Sequence, residues 1–201
     1  MALPIAEKPE GVRCLGTVKC DELLAAVRRI PDHLWIAEDA RKENDFDCFD
    51  DTRHIIFRFI SGNIDPRHSY SNPAWNVWRQ LLEPIIEAAV ADYGFREPRF
   101  PKAMLARLRA GGTIPRHHDG AGSNLLTHKI HVPLITNDQA VFFVEDVPFH
   151  LAAQHAYEVN NIKRHGAFNG GAQDRIHLIF EAFDAAATAG ATGTAPIHAQ
   201  L

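Results

Sequence analysis

Cysteine is scarce in this chain, and its spacing matches neither a disulfide framework nor a zinc site. The three cysteines, Cys14, Cys20 and Cys48, are odd in number, lie in the first quarter of the sequence and form no CxxC pair. We therefore expect reduced thiols, as in a cytosolic protein. This pattern excludes a small secreted domain held together by disulfides.

Long apolar runs and runs of one charge are also missing. The opening sequence MALPIAEKPEG has proline and acidic residues where a signal peptide needs an apolar core, and no later stretch reaches the length of a membrane span. The formal net charge is −4 with no basic run, so neither nucleic acid nor an anionic membrane is indicated as a partner. A cytoplasmic location is the default expectation.

Length and composition indicate one globular domain. The 201 residues are enough for one core, and the proportions of apolar (46%) and charged (23%) residues are typical of a soluble fold. We predict a single domain at 1–184, with a mixed α/β part at 1–100 and a β core at 101–184. The small residues of AAATAGATGTAPIHAQL predict a flexible tail at 185–201.

The two parts of this predicted domain differ in their sequence patterns. A helix is predicted from Asn72-Pro73 to Gly94, because Asn is a good cap, Pro is tolerated at the first helical position, and apolar residues recur every three or four positions. From Ala103 onward, short β-like runs alternate with Gly, Asn and Asp, which is typical of a sandwich or barrel. The runs are MLARLRA, THKIHVPLI, AVFFVED, AYEVNN and RIHLIFEAF.

Histidine is concentrated in the β part, where eight of the twelve fall between His117 and His177. His117 and Asp119 are one residue apart, so in an extended segment they share a face while His118 points away. Two histidines and one carboxylate on one face of an octahedron are the usual protein ligands of Fe(II) in oxygenases, and they leave positions open for cosubstrate and dioxygen. His165, at the start of HGAFNGG, is the predicted third ligand.

Arg175 follows His165 by ten residues and lies in an otherwise apolar strand pattern, RIHLIFEAF. Its guanidinium is always charged and offers a planar fork that suits the carboxylate of a dicarboxylate. A buried charge needs a partner, so a structural salt bridge to an acidic side chain is the alternative. A lone HxD pair arises by chance in many proteins, but HxD with a distant His and this Arg is more specific.

Four segments resemble the aspartyl/asparaginyl β-hydroxylase family of Fe(II)- and 2-oxoglutarate-dependent oxygenases. They are GGTIPRHHDG, HKIHVPL, VNNIKRHGAFN and DRIHLIFEAFD, and the resemblance covers roughly Ala103 to Asp184. It implies a mainly β fold with flanking helices, built on a double-stranded β-helix, the cupin-like jelly roll. It also implies hydroxylation of an aliphatic C–H bond with Fe(II), 2-oxoglutarate and O2, and release of succinate and CO2.

The resemblance assigns roles to the predicted site residues one position at a time. His117 and His165 match the two iron histidines, and Asp119 matches the carboxylate found in many members. The animal enzymes have Gly at the carboxylate position, so this sequence is more similar there to the bacterial small-molecule hydroxylases. Arg175 matches the arginine that holds the C5 carboxylate of 2-oxoglutarate.

Two further positions in HKIHVPL follow from the resemblance alone. His131 matches a histidine that contacts the cosubstrate. Lys129 stands where the family commonly has Arg; it keeps the charge but loses the planar fork. The Lys129 side chain either faces the pocket together with His131 or extends out of the barrel mouth. Asn169 is read as family motif or turn residue, and His177 as a contact behind the site or a core histidine.

The substrate implied by the resemblance is an amino acid, an amino-acid derivative or a peptidyl Asp/Asn-type side chain, with a free amino acid or small derivative preferred. Specificity is expected from segments 45–51 and 120–126. One alternative is a cupin-type hydrolase or isomerase, which holds Zn²⁺ or Mn²⁺ in the same facial arrangement and has no need of Arg175. A non-catalytic ligand-binding barrel is the other alternative.

Overall fold

The structure, a computed structural model, describes residues 2–42 and 47–188, which form eleven β-strands and three α-helices. The strands are β1 Val12–Thr17, β2 Thr52–Ile60, β3 Ser69–Ser71, β4 Pro98–Leu108, β5 Thr113–His117, β6 His128–Ile135, β7 Ala140–Val144, β8 Val147–Phe149, β9 His155–Val159, β10 His165–Asn169 and β11 Arg175–Asp184. The helices are α1 Asp21–Val27, α2 Asp32–Asp39 and α3 Pro73–Ala89.

The strands form two antiparallel sheets that face each other. The larger sheet has the order β1-β9-β6-β11-β4-β2-β3, and the smaller has the order β5-β10-β7-β8. From β4 onward the chain crosses repeatedly between the sheets: β5, β7, β8 and β10 lie in the small sheet, while β4, β6, β9 and β11 lie in the large one. This is the predicted mainly β jelly roll with flanking helices, and the prediction is confirmed.

The large sheet buries both of its faces, which explains the nearly continuous apolar pattern of β11. Leu178 and Phe180 belong to the main core together with residues of the helices, such as Leu82 and Ile86 of α3. The alternate residues of a strand project to the opposite face. Arg175 and the other residues in step with it therefore point between the two sheets, where the site lies.

The predicted second helix is present but ends earlier than expected. It runs from Pro73 to Ala89 with Pro84 inside it, and a short 3-10 turn then leads to Gly94, whose φ of 65° only glycine adopts readily. Asn72 occupies the cap position but makes no side-chain cap bond, and its Nδ2 donates to the carbonyl of Ile56 at 2.9 Å. This bond ties the start of the helix to the large sheet.

Several strands have no clear signal in the sequence. The strands β1, β8 and β10 are short or irregular, and Gly166 is the second of the five residues of β10. Pairing defines them as strands: β1 pairs with β9 and β10 with β5 and β7, all distant in the chain, whereas β8 forms a hairpin with β7. No helix within the two described ranges has the length and apolarity of a membrane span. Of the predicted tail, 189–201 lies outside the described residues, and Ala185 pairs with Glu97 through its backbone N–H.

Candidate metal centre and cosubstrate pocket

A cavity of about 640 Å³ lies between the two sheets, and its lining includes Arg41, Lys42, Cys48 and Phe49. This volume is within the range of small-molecule sites. The large sheet contributes residues of β2, β4, β6 and β11, and the small sheet contributes β5, β7 and β10. All six predicted site residues line this cavity: His117, Asp119, Lys129, His131, His165 and Arg175.

His117, Asp119 and His165 form a cluster able to hold a metal ion, with ligand atoms all within 4.8 Å of one another. The antiparallel pairing of β5 and β10 places His165 directly opposite His117, and their rings lie 4.5 Å apart. Asp119 follows just beyond β5, and its Oδ1 lies 3.8 Å from Nε2 of each histidine. Residues 48 apart in the chain thus meet through strand register.

The hydrogen bonds of the two histidines direct one nitrogen of each ring towards this centre. Nδ1 of His117 lies 2.8 Å from the carbonyl of Pro115, and Nδ1 of His165 lies 3.0 Å from the carbonyl of Lys163. A carbonyl only accepts, so each Nδ1 carries the proton and each Nε2 keeps its lone pair. That is the tautomer and orientation of a metal-ligating histidine, so the donor set fits Fe(II).

Asp119 is held by two donors on the oxygen that faces away from the histidines. Its Oδ2 accepts hydrogen bonds from Nζ of Lys129 and from Nδ2 of Asn161, the latter at 3.0 Å. Burial alone would raise the pKa of this carboxyl, but the charges of Lys129 and His165 and these hydrogen bonds hold it well below its usual value. Asp119 is therefore ionised at neutral pH and keeps Oδ1 free for a metal.

The N-terminal segment contacts this network through Lys8. Nζ of Lys8 donates to Oδ1 of Asn161 at 2.9 Å and also to the carbonyl of Thr127. Burial lowers the pKa of Lys8 to about 8, against the opposing attraction of Glu181 and other carboxylates. Lys8 thus fixes the amide of Asn161 in the orientation that donates to Asp119.

Arg175 lies at another part of the same cavity and is only 4% exposed. Within the described residues it has no carboxylate partner, and its buried Nε has no hydrogen-bond partner. Nη2 of Arg175 is 3.1 Å from Nδ1 of His177, and burial lowers the pKa of the guanidinium to about 10. A salt bridge, the alternative for Arg175, is not formed. Among the described residues, the buried guanidinium of Arg175 therefore has no counter-charge, and the cavity offers space for an anion beside it.

The imidazole rings of His177 and His131 lie beside this cation and are uncharged. Burial and the charge of Arg175 keep the pKa of both rings well below 6.5, and for His131 the charge of Lys129 adds to the effect. Since Arg175 can only donate, Nδ1 of His177 is an acceptor. His177 does not itself line the cavity, so it positions Arg175, whereas His131 faces the cavity directly.

The remaining sequence candidates include cavity-lining and structural residues. His118 is exposed, with Nδ1 3.1 Å from the carbonyl of Ile162, and is among the residues that line the cavity. Asn169 has a structural role, because its Nδ2 lies within hydrogen-bond distance of three backbone carbonyls. Of the predicted specificity segments 45–51 and 120–126, Cys48, Phe49, Gly120 and Asn124 line the cavity, and residues 45 and 46 lie outside the described residues.

Other polar residues that line or support the site were missed from the sequence. Besides Lys8 and Asn161, the cavity wall contains the ion pair of Lys102 with Glu181, and His54, whose Nδ1 lies 3.1 Å from Asp39. The signal for Glu181 was available, because it stands in step with Arg175 in RIHLIFEAF. Nothing in the local sequence links Asp39 or Lys8 to the site.

Comparisons with known proteins agree with this fold and site. Three solved structures match at 13–14% identity: a 2OG-Fe(II) oxygenase family oxidoreductase from Burkholderia pseudomallei, AviO1 from Streptomyces viridochromogenes, and HygX from Streptomyces hygroscopicus with nickel, 2-oxoglutarate and hygromycin B bound. Their TM-scores are 0.50, 0.52 and 0.50; the matches cover 94%, 89% and 88% of this chain and 100%, 92% and 84% of theirs. At this identity the likeness shows the fold.

The sequence itself identifies the family. Comparison with curated proteins gives no match. The family model described as aspartyl/asparaginyl beta-hydroxylase matches residues 82–184, which is more than half of the chain and includes all six predicted site residues. The chain therefore belongs to the aspartyl/asparaginyl β-hydroxylase family of Fe(II)- and 2-oxoglutarate-dependent oxygenases.

Proposed function

We propose that this enzyme hydroxylates an aliphatic C–H bond of an amino acid or a small amino-acid derivative, with His117, Asp119 and His165 as the iron ligands. The observation that carries the proposal is the unpaired, buried cation of Arg175 in the same cavity as the three ligand groups. A dicarboxylate cosubstrate explains why a buried cation and three metal-ligating groups line the same cavity. Its far carboxylate would neutralise Arg175, whose burial without a counter-charge is otherwise costly.

The roles of the side chains follow from their contacts. Asp119, ionised and fixed by Lys129 and Asn161, presents Oδ1 to the metal, and the two histidines present Nε2. Lys129 therefore acts here through Asp119. We propose that it also lends positive charge to the near carboxylate of 2-oxoglutarate, and that the neutral ring of His131 contacts the cosubstrate from the cavity wall.

Bound Fe(II) and 2-oxoglutarate supply the activation of dioxygen, with hydroxylation of the substrate and release of succinate and CO2. The protein binds and orients the reactants and excludes water by enclosing them between strands of the two sheets. A cavity of about 640 Å³ suits an amino-acid-sized substrate beside the cosubstrate. A peptidyl side chain is the second candidate, and the odd number of cysteines without a CxxC pair supports a cytosolic location.

The test is anaerobic titration of the metal-free protein with Fe(II) and 2-oxoglutarate, observed through the weak visible charge-transfer band of the chelate. The band should develop with the wild type and with Arg79→Ala, a control at an exposed arginine on α3. Arg175→Ala should need at least tenfold more 2-oxoglutarate. An unaltered requirement in Arg175→Ala would contradict the role proposed for Arg175 in binding 2-oxoglutarate.

The substrate class is tested separately by screening free amino acids and short peptides for substrate-dependent succinate formation under air. We expect stimulation by a free amino acid or a small derivative. If only peptides stimulate succinate formation, the substrate is a peptidyl side chain and not a free amino acid.

A further inference from the structure

A buried ion pair that the iron and 2-oxoglutarate do not use lines the cavity. Nζ of Lys102 lies 3.0 Å from Oε1 of Glu181, and the two residues are 6% and 1% exposed. Both are among the residues that line the cavity, together with Phe59, whose ring centroid is 5.2 Å from the ammonium. A buried ion pair is usually no more stabilising than an apolar pair of similar volume, so its presence here needs another explanation.

Glu181 is occupied on both oxygens, which makes Lys102 the partner with donors to spare. Oε1 accepts from Lys102, and Oε2 lies 2.8 Å from the hydroxyl of Thr127. An ammonium group has three N–H donors. Within the described residues only the bond to Glu181 is formed by Lys102, so its remaining donors are available to a molecule in the cavity.

The strand register places this pair beside the iron ligands. Glu181 of β11 is paired with Lys102 of β4 on one side and with Lys129 of β6 on the other. Lys129 in turn holds Asp119. Two strand spacings separate the backbones of Lys102 and Lys129, which is about 10 Å, the length of a small amino-acid derivative.

The charges inside the cavity leave one positive charge unbalanced. Three cations, Lys102, Lys129 and Arg175, face two carboxylates, Asp119 and Glu181, while the cations of the mouth are paired with residues of α2. Fe(II) and the 2-oxoglutarate dianion carry equal and opposite charges, so loading them leaves this balance unchanged. A substrate with a net charge of −1 would neutralise the loaded cavity, and the carboxylate of a zwitterionic amino acid would offset the surplus charge locally.

We infer that Lys102 binds the carboxylate of the substrate, with Glu181 positioning its ammonium group. The inference rests on the proposed function and makes it narrower: the substrate carries a free carboxylate, and neutral analogues such as carboxamides are excluded. Lys102 is a specificity-determining residue outside the metal and cosubstrate sites.

The experiment uses the anaerobic protein loaded with Fe(II) and 2-oxoglutarate, to which the twenty L-amino acids, their N-acetyl derivatives and the corresponding carboxamides are added one at a time. Binding is read from the perturbation of the visible chelate band, and coupled turnover from succinate under air. We expect at least one free carboxylate to perturb the band, and its carboxamide to bind at least tenfold more weakly.

The variants separate recognition from folding. Lys102→Met should weaken that carboxylate at least tenfold while leaving its carboxamide, the chelate band and the 2-oxoglutarate requirement within twofold of the wild type. Lys102→Arg, which keeps the charge, should recover part of the affinity. Lys19→Met, an exposed lysine in the segment before α1, is the matched control and should change nothing.

Three results would overturn the inference while leaving the proposed function intact: no carboxylate in the panel perturbs a normal chelate band, carboxamides bind as well as the acids, or Lys102→Met weakens both equally. If Lys102→Met does not fold, the inference is tested by the affinity for the acid relative to its carboxamide, measured in the wild type and in Lys102→Arg. Absence of the chelate band from wild-type protein would instead contradict the proposed function itself.

Discussion

The ammonium group of Lys129 donates a hydrogen bond to Oδ2 of Asp119, whose other oxygen faces both His117 and His165. One carboxylate thus serves two cations, a permanent one from the protein and a metal ion. The lysine is the counter-charge that keeps a half-buried carboxylate ionised before the metal arrives. This division of roles gives a prediction for stability with and without metal.

Lys129→Met should destabilise the metal-free protein, by up to roughly 3 kcal/mol, because it leaves the buried charge of Asp119 with only the amide of Asn161. A divalent ion then becomes the main counter-charge. Metal should therefore stabilise the variant by more than it stabilises the wild type. Urea unfolding with and without Mn²⁺, a redox-stable substitute for Fe(II), measures both quantities, and equal metal-induced stabilisation in the two proteins would contradict the assigned role.

Arg175→Met should have opposite effects on stability and on cosubstrate binding. The wild-type guanidinium is buried without an anion, so replacing it by an apolar side chain of similar length should leave the ligand-free protein at least as stable. The same change should abolish the increase in melting temperature that 2-oxoglutarate causes in the Mn²⁺-loaded protein. A variant that is less stable without ligand would instead indicate a structural role for Arg175.

The residues of the candidate metal centre could be found in the sequence because their signals are local. His117 and Asp119 are two residues apart on an extended segment, and the spacing of His165 and Arg175 places the latter at the start of the next strand. The jelly roll followed from short apolar runs and from the resemblance. The ligand positions and the fold class depend on periodicity and on short motifs, and a single sequence shows both kinds of signal.

The supporting network was not predictable, because its members come together only through folding. Lys8 lies 153 residues before Asn161, and Lys102 lies 79 residues before Glu181. Such contacts depend on strand register and on how the N-terminal segment crosses the sheet, neither of which composition or spacing encodes. The predicted end of the second helix was wrong for a different reason: apolar residues continue past Ala89 into a 3-10 turn that ends at Gly94.

Asn161→Ala should weaken metal binding by about 10–100-fold, the usual effect of removing a hydrogen bond to a ligating carboxylate. Lys8→Met should have a smaller effect in the same direction, since Lys8 acts on Asp119 only through the amide of Asn161. The double variant should then bind metal no more weakly than Asn161→Ala. Calorimetric titration with Mn²⁺ measures this coupling, and strictly additive losses would mean that Lys8 acts independently.

Stability should fall as the pH is lowered below about 6.5, because His131 and His177 stay neutral in the folded protein. Burial and neighbouring cations depress their pKa values, whereas the unfolded chain takes up protons at the ordinary value. Protons then favour unfolding, and each histidine contributes up to about 1.4 kcal/mol per pH unit. His177→Gln keeps an acceptor for Arg175 but cannot titrate, so its urea-unfolding stability should depend less steeply on pH between 6.5 and 5.

Gly166→Ala should disrupt the metal centre without touching a ligand. Gly166 follows His165 in β10, and a Cβ there would lie 2.6 Å from the carbonyl of Ile114 and 3.1 Å from the backbone nitrogen of Arg116 in β5. These atoms are backbone and cannot move aside as a side chain can, so the two strands must separate. We expect a loss of roughly 1–3 kcal/mol, the usual cost of overpacking, together with weaker metal binding, because β5 carries His117. Gly94→Ala, where no atom lies within 4 Å, is the control: it should lose stability through its positive φ but keep the metal affinity of the wild type.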